Sequence, residues 1–106
     1  EGFGLTTIEA MAAHNPVLIT DYTTSEEILD SCMCGELIQV ETFYRPTPEF
    51  SGCERALIDI EHAKNAIVRR YRDPDIIENE GHEAVVAVKE RFDWDAIGEE
   101  WKEVLL

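Results

Sequence analysis

Basic side chains are scarce in this chain. Nine Lys and Arg stand against 23 Asp and Glu in 106 residues, a formal net charge of −14. Neutralising nucleic-acid phosphates requires clustered cations, so a nucleic-acid binder is excluded. Long apolar runs are missing as well, and none approaches the ~20 residues of a membrane-spanning helix. The N-terminus has neither the basic nor the apolar block of a signal peptide. Cysteine is limited to Cys32, Cys34 and Cys53. That odd set lacks the paired spacing of a structural zinc site, and His14, His62 and His82 are scattered. The thiols therefore read as buried or incidental, with no metal site and no disulfide framework implied. Repeats and low-complexity tracts are also missing.

What is present suffices for a core. Hydrophobic residues make up 44% of the chain, which argues against wholesale disorder. The length fits one small domain or part of a larger one. Residue 1 is Glu within a loop that runs into a helix, so the expectation is a piece of a longer polypeptide. The acid is unevenly compensated: residues 1–53 hold nine acidic side chains and only Arg45 as a base. Such a surface suits high salt, where screening weakens self-repulsion. An acidic surface without ecological meaning accounts for it equally.

Spacing predicts the elements. Leu5, Ile8 and Ala12 share one helical face in a helix running to about Ala13. Pro16 to Thr20 reads as a short buried strand and Glu36 to Val40 as a second short strand, separated by a short helix with Thr23, Thr24 and Ser25 as candidate N-caps. Residues 41–53, with Pro46, Pro48 and Gly52, read as an irregular loop. Arg55 to Ile58 is a brief strand or an extended entry. Asp59 caps a helix with Ile60, Ala63, Ile67 and Val68 on one side. Asp73-Pro74 starts the next helix, which carries Ile76, Ile77, Ala84, Val85 and Val88 and is weakened by Gly81 in its middle. Asp93 opens a last helix with an apolar stripe of Trp94, Ile97, Trp101 and Val104. Strand–helix–strand alternation followed by a helix-rich tail indicates an α/β fold, a partial Rossmann-like parallel sheet with flanking helices.

The opening segment carries the chemistry. Glycines in Gly2-Phe3-Gly4 allow close backbone approach to a ligand, and the helix that follows offers unpaired amides and a partial positive charge suited to phosphate. Glu1 and Glu9 flank this helix start, and a carboxylate can accept two sugar hydroxyls at once. An ordinary loop-to-helix junction with a solvated Glu9 fits the same residues, because a Gly-x-Gly before a helix is a weak signal alone.

The full string is more specific. Glu1, seven residues, then Glu9, with Gly-Phe-Gly-Leu between them, Glu-Ala-Met-Ala, Pro16-Val17-Leu18-Ile19 and Glu27-Ile28-Leu29 closely resembles the donor-binding domain of glycosyltransferase family 4, retaining enzymes of GT-B architecture. The resemblance continues through Cys34-Gly35-Glu36-Leu37-Ile38, Asp73-Pro74 and Arg91-Phe92-Asp93-Trp94, and so spans residues 1–106. It implies a nucleotide-diphosphate sugar as donor, retention at the anomeric carbon and no obligatory metal or other cofactor. By position, Glu1 takes the catalytic place beside the transferred sugar, as nucleophile, electrostatic stabiliser or clamp. Glu9 takes the ribose hydroxyls. Gly2, Phe3, Gly4, Leu5 and Thr6 form the backbone cradle for diphosphate and sugar. An acceptor, and an N-terminal acceptor-binding domain on the same chain, are the further partners implied. A cytoplasmic location is implied too, with a peripheral seat at a membrane left open.

Two departures stand out. The family usually has Gly between the Ala-Met-Ala helix and the Pro-Val strand, where this chain has His14-Asn15, so one of these is expected to be left-handed. The family often has Gly before its Glu-Ile pair, where this chain has Thr23-Thr24-Ser25. No Lys or Arg precedes Arg45, whereas the family supplies such cations from upstream, so these residues alone are expected to have little or no transferase activity. A nucleotide-sugar epimerase or a phosphorylase uses the same architecture, and a non-catalytic acidic interaction module is a third reading. His14 as a base lies at the wrong end of its helix. Trp94 and Trp101 read as core or interdomain packing in preference to sugar stacking. Phe43, Tyr44 and Arg45 read as a surface loop or an acceptor-side contact. Arg69, Arg70 and Arg72 suit a helix C-terminus better than a phosphate.

Overall fold

The computed structural model describes residues 2–30, 32–48 and 52–106, and the fold is mixed α/β with one short parallel and one short antiparallel sheet. In chain order the elements are α1 (Leu5–Ala12), β1 (Val17–Thr20), α2 (Ser25–Leu29), β2 (Gly35–Ile38), β3 (Val40–Tyr44), β4 (Arg55–Ile58), α3 (Ile60–Arg72), α4 (Pro74–Arg91) and α5 (Trp94–Leu105). β1 and β2 pair in parallel, from Val17 opposite Gly35 to Thr20 opposite Ile38, and α2 makes the crossover. β3 and β4 form an antiparallel pair with an irregularity between Val40 and Thr42.

The caps follow the sequence closely. Asp59 accepts from the His62 amide, Asp73 from Asp75, and Asp93 from Asp95 and Ala96. Each carboxylate satisfies amides that a helix start leaves without intrahelical partners. Pro74 occupies the first turn of α4, where its missing N–H costs nothing.

Several expectations need correction. The supposed irregular stretch begins as strand β3, because Thr42, Phe43 and Tyr44 find ladder partners in β4, and the loop proper starts only at Arg45. The second strand ends at Ile38, where Gln39 separates β2 from β3. α1 buries Ile8 and Met11, not a Leu5–Ile8–Ala12 stripe, and Leu5 is exposed. α3 is turned away from its apolar side: Ile60 and Ile67 are exposed while Ala66 and Arg70 are buried. α5 buries none of its residues, so Trp94 and Trp101 lie outside the core. The radius of gyration is 16.3 Å, against about 13 Å for a compact chain of this length, which suits a last helix that packs little. Cys32 and Cys34 also depart from the expectation of incidental thiols, for their sulfurs lie against each other with Cα atoms 5.3 Å apart, within reach of a disulfide.

One core joins Ile8, Met11, Val17, Ile28, Leu29, Cys34, Ala84 and Ala87. Its closest approach explains Gly81. A Cβ there would lie 2.5 Å from the His14 carbonyl oxygen, so α4 reaches the end of α1 only because the position lacks a side chain. Gly35 is equally constrained: with φ +156° at the first rung of the parallel pair, its Cβ would overlap the Val17 carbonyl.

Gly81→Ala tests this packing. Helix propensity alone would favour Ala by up to about 1 kcal/mol. The backbone collision outweighs that gain, and a net loss of about 1–3 kcal/mol is expected from urea unfolding followed by circular dichroism.

Candidate functional site

The loop before α1 is built around Gly4. Its φ of 88° and ψ of 39° are left-handed, a conformation glycine adopts without a Cβ penalty, and it serves as N-cap with no side chain capping the helix. The Thr7 and Ile8 amides both turn to the Gly4 carbonyl, at 3.1 and 3.2 Å. The Leu5 and Thr6 amides have no acceptor among the described residues. The start of α1 combines orphan donors with the positive pole of the helix, the physical requirement for an anion site.

The loop before α1 lies beside α2, the helix that follows the end of β1. Strand C-terminal ends are where open parallel sheets receive ligands. Gly2 and Phe3 line a recess there with Thr24, Glu27, Ile28, Arg91 and Phe92. Its volume is about 130 Å³, well below the 300 Å³ or more of a typical ligand pocket. A wider groove of about 680 Å³ opens beside the end of β1 and is lined by Thr20, Tyr22, Thr23, Ser25 and Arg55, among others.

Of the sequence-predicted residues, Gly2, Phe3, Leu5 and Thr6 are exposed on either side of a buried Gly4. Glu9 lies four residues beyond Leu5 on the exposed side of α1, since residues four apart share a helical face. Its carboxylate has no partner among the described residues. Glu1, the candidate catalytic residue, lies outside the described residues. His14 ends α1 with φ 66°, the left-handed position expected of His14 or Asn15. Thr23 is also left-handed, with φ 56°. These are the positive-φ residues other than glycine among the described residues, and they fall at the two places where the sequence departs from Gly.

Sequence reasoning missed the part played by Arg91. Its guanidinium reaches across from the end of α4 to the carbonyls of Glu27, Ile28 and Asp30, closing the C-terminal end of α2. Cations suit that pole of a helix. The same side chain lies over the Phe92 ring, 5.0 Å from its centroid, and Phe92 meets Phe3 edge-to-face at 6.3 Å. The tail of the chain thereby props the Gly2–Gly4 loop. The legible signal was Arg91-Phe92 just before a cap residue, but nothing in that pair named its partners.

A second charged cluster is structural. Arg70, 6% exposed, makes a two-pronged bond to Glu80 through Nε and Nη2 at 2.8 and 2.7 Å, and its Nη1 donates to Glu36 at 2.9 Å and to the Ala66 carbonyl at 3.0 Å. Glu36 also accepts from Arg69 and from His62 Nε2, while His62 Nδ1 accepts the Gln39 amide. With both ring nitrogens occupied, His62 offers no free base. Burial alone would raise the Glu36 carboxyl, but the bonds from His62 and Arg70 and the charges of Arg69 and Arg70 outweigh it and hold the group below the usual carboxylate range. The basic cluster that suited a helix C-terminus is therefore the hub of an ion network.

Comparison with protein-family models, with curated proteins and with solved structures finds no match to this chain. No group of three or more potential metal-ligating side chains gathers among the described residues, and none of their helices is long and apolar enough to cross a membrane.

The Glu36 carboxylate binds its proton less readily folded than unfolded, so its contribution to stability is present above about pH 4.5 and is lost as pH falls through the lower folded value. Glu36→Gln should cost about 2 kcal/mol at pH 7, because Arg70 keeps Glu80 and the Ala66 carbonyl but loses its second carboxylate. Urea midpoints measured from pH 7 to pH 3 should show the variant and the parent converging in acid.

Proposed function

We propose that this chain is the C-terminal portion of a nucleotide-sugar donor-binding domain, a partial Rossmann-like unit of a retaining glycosyltransferase. The observation that carries the reading is the uncapped start of α1. Gly4 is left-handed, the Leu5 and Thr6 amides have no acceptor among the described residues, and the unpaired Glu9 lies on the exposed side of α1. Diphosphate oxygens suit the amides, and ribose hydroxyls suit the carboxylate. Left-handed His14 and Thr23 add support, since a left-handed backbone favours the glycine that the resembled family has there.

In this reading Glu1 lies on the sugar side of the diphosphate and Glu9 on the ribose side, and no step needs a metal. Chemistry also needs cations to balance the two donor charges. Arg91, the cation beside the loop, is committed to the carbonyls of α2, so the balancing Arg and Lys come from elsewhere in a longer polypeptide. An acceptor enters from a further domain, and transferase turnover by these 106 residues alone is therefore expected to be negligible. The small recess at Gly2 and Phe3 fits this division, because it can hold only a part of a donor. The non-catalytic acidic module draws on the same committed Arg91, and binding separates the two readings.

Two-dimensional amide spectra recorded while titrating UDP, GDP and ADP provide the test. Shifts concentrated at Phe3 to Thr6 and at Glu9 are expected for at least one of the three. Glu9→Ala should weaken that binding by about 1–3 kcal/mol, roughly tenfold to a hundredfold. Amides that stay unmoved with all three nucleotides would remove the donor-binding reading.

A further inference from the structure

A reactive feature lies away from the α1 loop, where the chain leaves α2 and enters β2. Cys34 is fully buried in the core beside Val17 and Met11, and its carbonyl accepts the Val17 amide at the entrance to the parallel pair. Cys32 is half-buried, and its Sγ lies 4.0 Å from the Glu83 carbonyl on α4. Between them Met33 is 80% exposed. An open groove of about 700 Å³ gives access to this turn, lined by Cys32, Met33, Asn79, Glu80 and Glu83 among others. The Cα separation of 5.3 Å falls inside the 4.4–6.8 Å span of a disulfide.

A disulfide that staples distant segments gains most of its effect from the long loop it closes. A bond between Cys32 and Cys34 would close a single intervening residue, so restraint of the unfolded chain would be a weak reason for it. The layout is that of an exchange site: Cys32 lines the groove, and Cys34 is held behind it by the core. Glu80 is paired with Arg70, but the Glu83 carboxylate at the groove, on a chain of net charge −14, disfavours anionic reagents.

We propose that Cys32 and Cys34 are a reversible dithiol–disulfide site that exchanges with neutral or cationic small-molecule disulfides, Cys32 meeting the reagent and Cys34 resolving it. In the oxidising direction the Cys32 thiolate attacks one reagent sulfur. A bond forms between them, the reagent's own S–S bond breaks, and the departing thiolate takes up the proton that Cys32 released. Cys34 then attacks Cys32 Sγ, the internal disulfide forms, and the second reagent thiolate leaves with the Cys34 proton. The pair loses two electrons and two protons, and the reagent becomes two thiols. This site is independent of nucleotide binding at α1.

Cys53 is exposed and free, so the test uses a Cys53→Ala chain. After reduction and removal of reductant, cystamine should consume both remaining thiols. The product should be lighter than the reduced chain by two hydrogens and should retain no cystamine, and dithiothreitol should restore both thiols. With Cys34→Ala added, the reaction should stop at a cystamine adduct on Cys32. With Cys32→Ser added, Cys34 should stay unmodified in the folded chain. Circular dichroism checks the fold of these two variants, and the mass of the Cys53→Ala product stands without them. A retained adduct on the Cys53→Ala chain, or two thiols still titratable in urea after cystamine treatment, would overturn the proposal. Oxidised glutathione should react at least tenfold more slowly than cystamine, and equal rates would remove the charge selectivity.

Discussion

The guanidinium of Arg70 holds three elements of this small fold together. It stands on α3, clasps Glu80 on α4 with two bonds and meets Glu36 on β2 with a third. A cation so deeply placed is costly to strip of water, and only near-complete pairing offsets the cost. Arg69 and His62 finish that pairing by occupying the remainder of Glu36. The result is a polar joint that orients helices by directed bonds, where the apolar residues of α3 would have allowed sliding.

This joint also explains where sequence reading succeeds and where it fails. Asp59, Asp73 and Asp93 announced three helices because a cap acts within its own few residues. Pro16 to Thr20 announced β1 through its apolar run, although only Val17 is buried and the remaining strand residues are half-buried. The inward face of α3 was hidden, for apolar periodicity assumes that the buried side is the greasy side. Here Ala66 and Arg70 turn inward, and Ile60 and Ile67 turn out. The pairing of β3 with β4 was equally hidden, since Pro46 and Pro48 beyond Tyr44 suggested a loop and nothing local identified Arg55 to Ile58 as its partner.

The candidate site divides along the same line. Gly4, the helix start and Glu9 were legible because glycine, amide direction and a four-residue helical spacing are local matters. The left-handed turn at His14 was legible as well, from the missing Gly between a helix and a strand. Arg91 was not, because it acts across more than sixty residues of sequence on the carbonyls of α2. Phe92 holding Phe3 belongs to the same long-range class. The loop at Gly2 to Gly4 thus draws its conformation from one end of the chain and its support from the other.

Gly35 has a consequence for alignment. It sits opposite Val17 with no room for a Cβ against that carbonyl. Sliding β2 by one residue either way would bring Cys34 or Glu36 to this spot, and each would drive a side chain into peptide backbone. A slip would also turn every side chain of the strand to the opposite face, taking Cys34 out of the core and Glu36 away from Arg70. A position defined by a missing atom therefore acts as the index mark of the parallel pair, admitting one setting of the two strands and rejecting its neighbours.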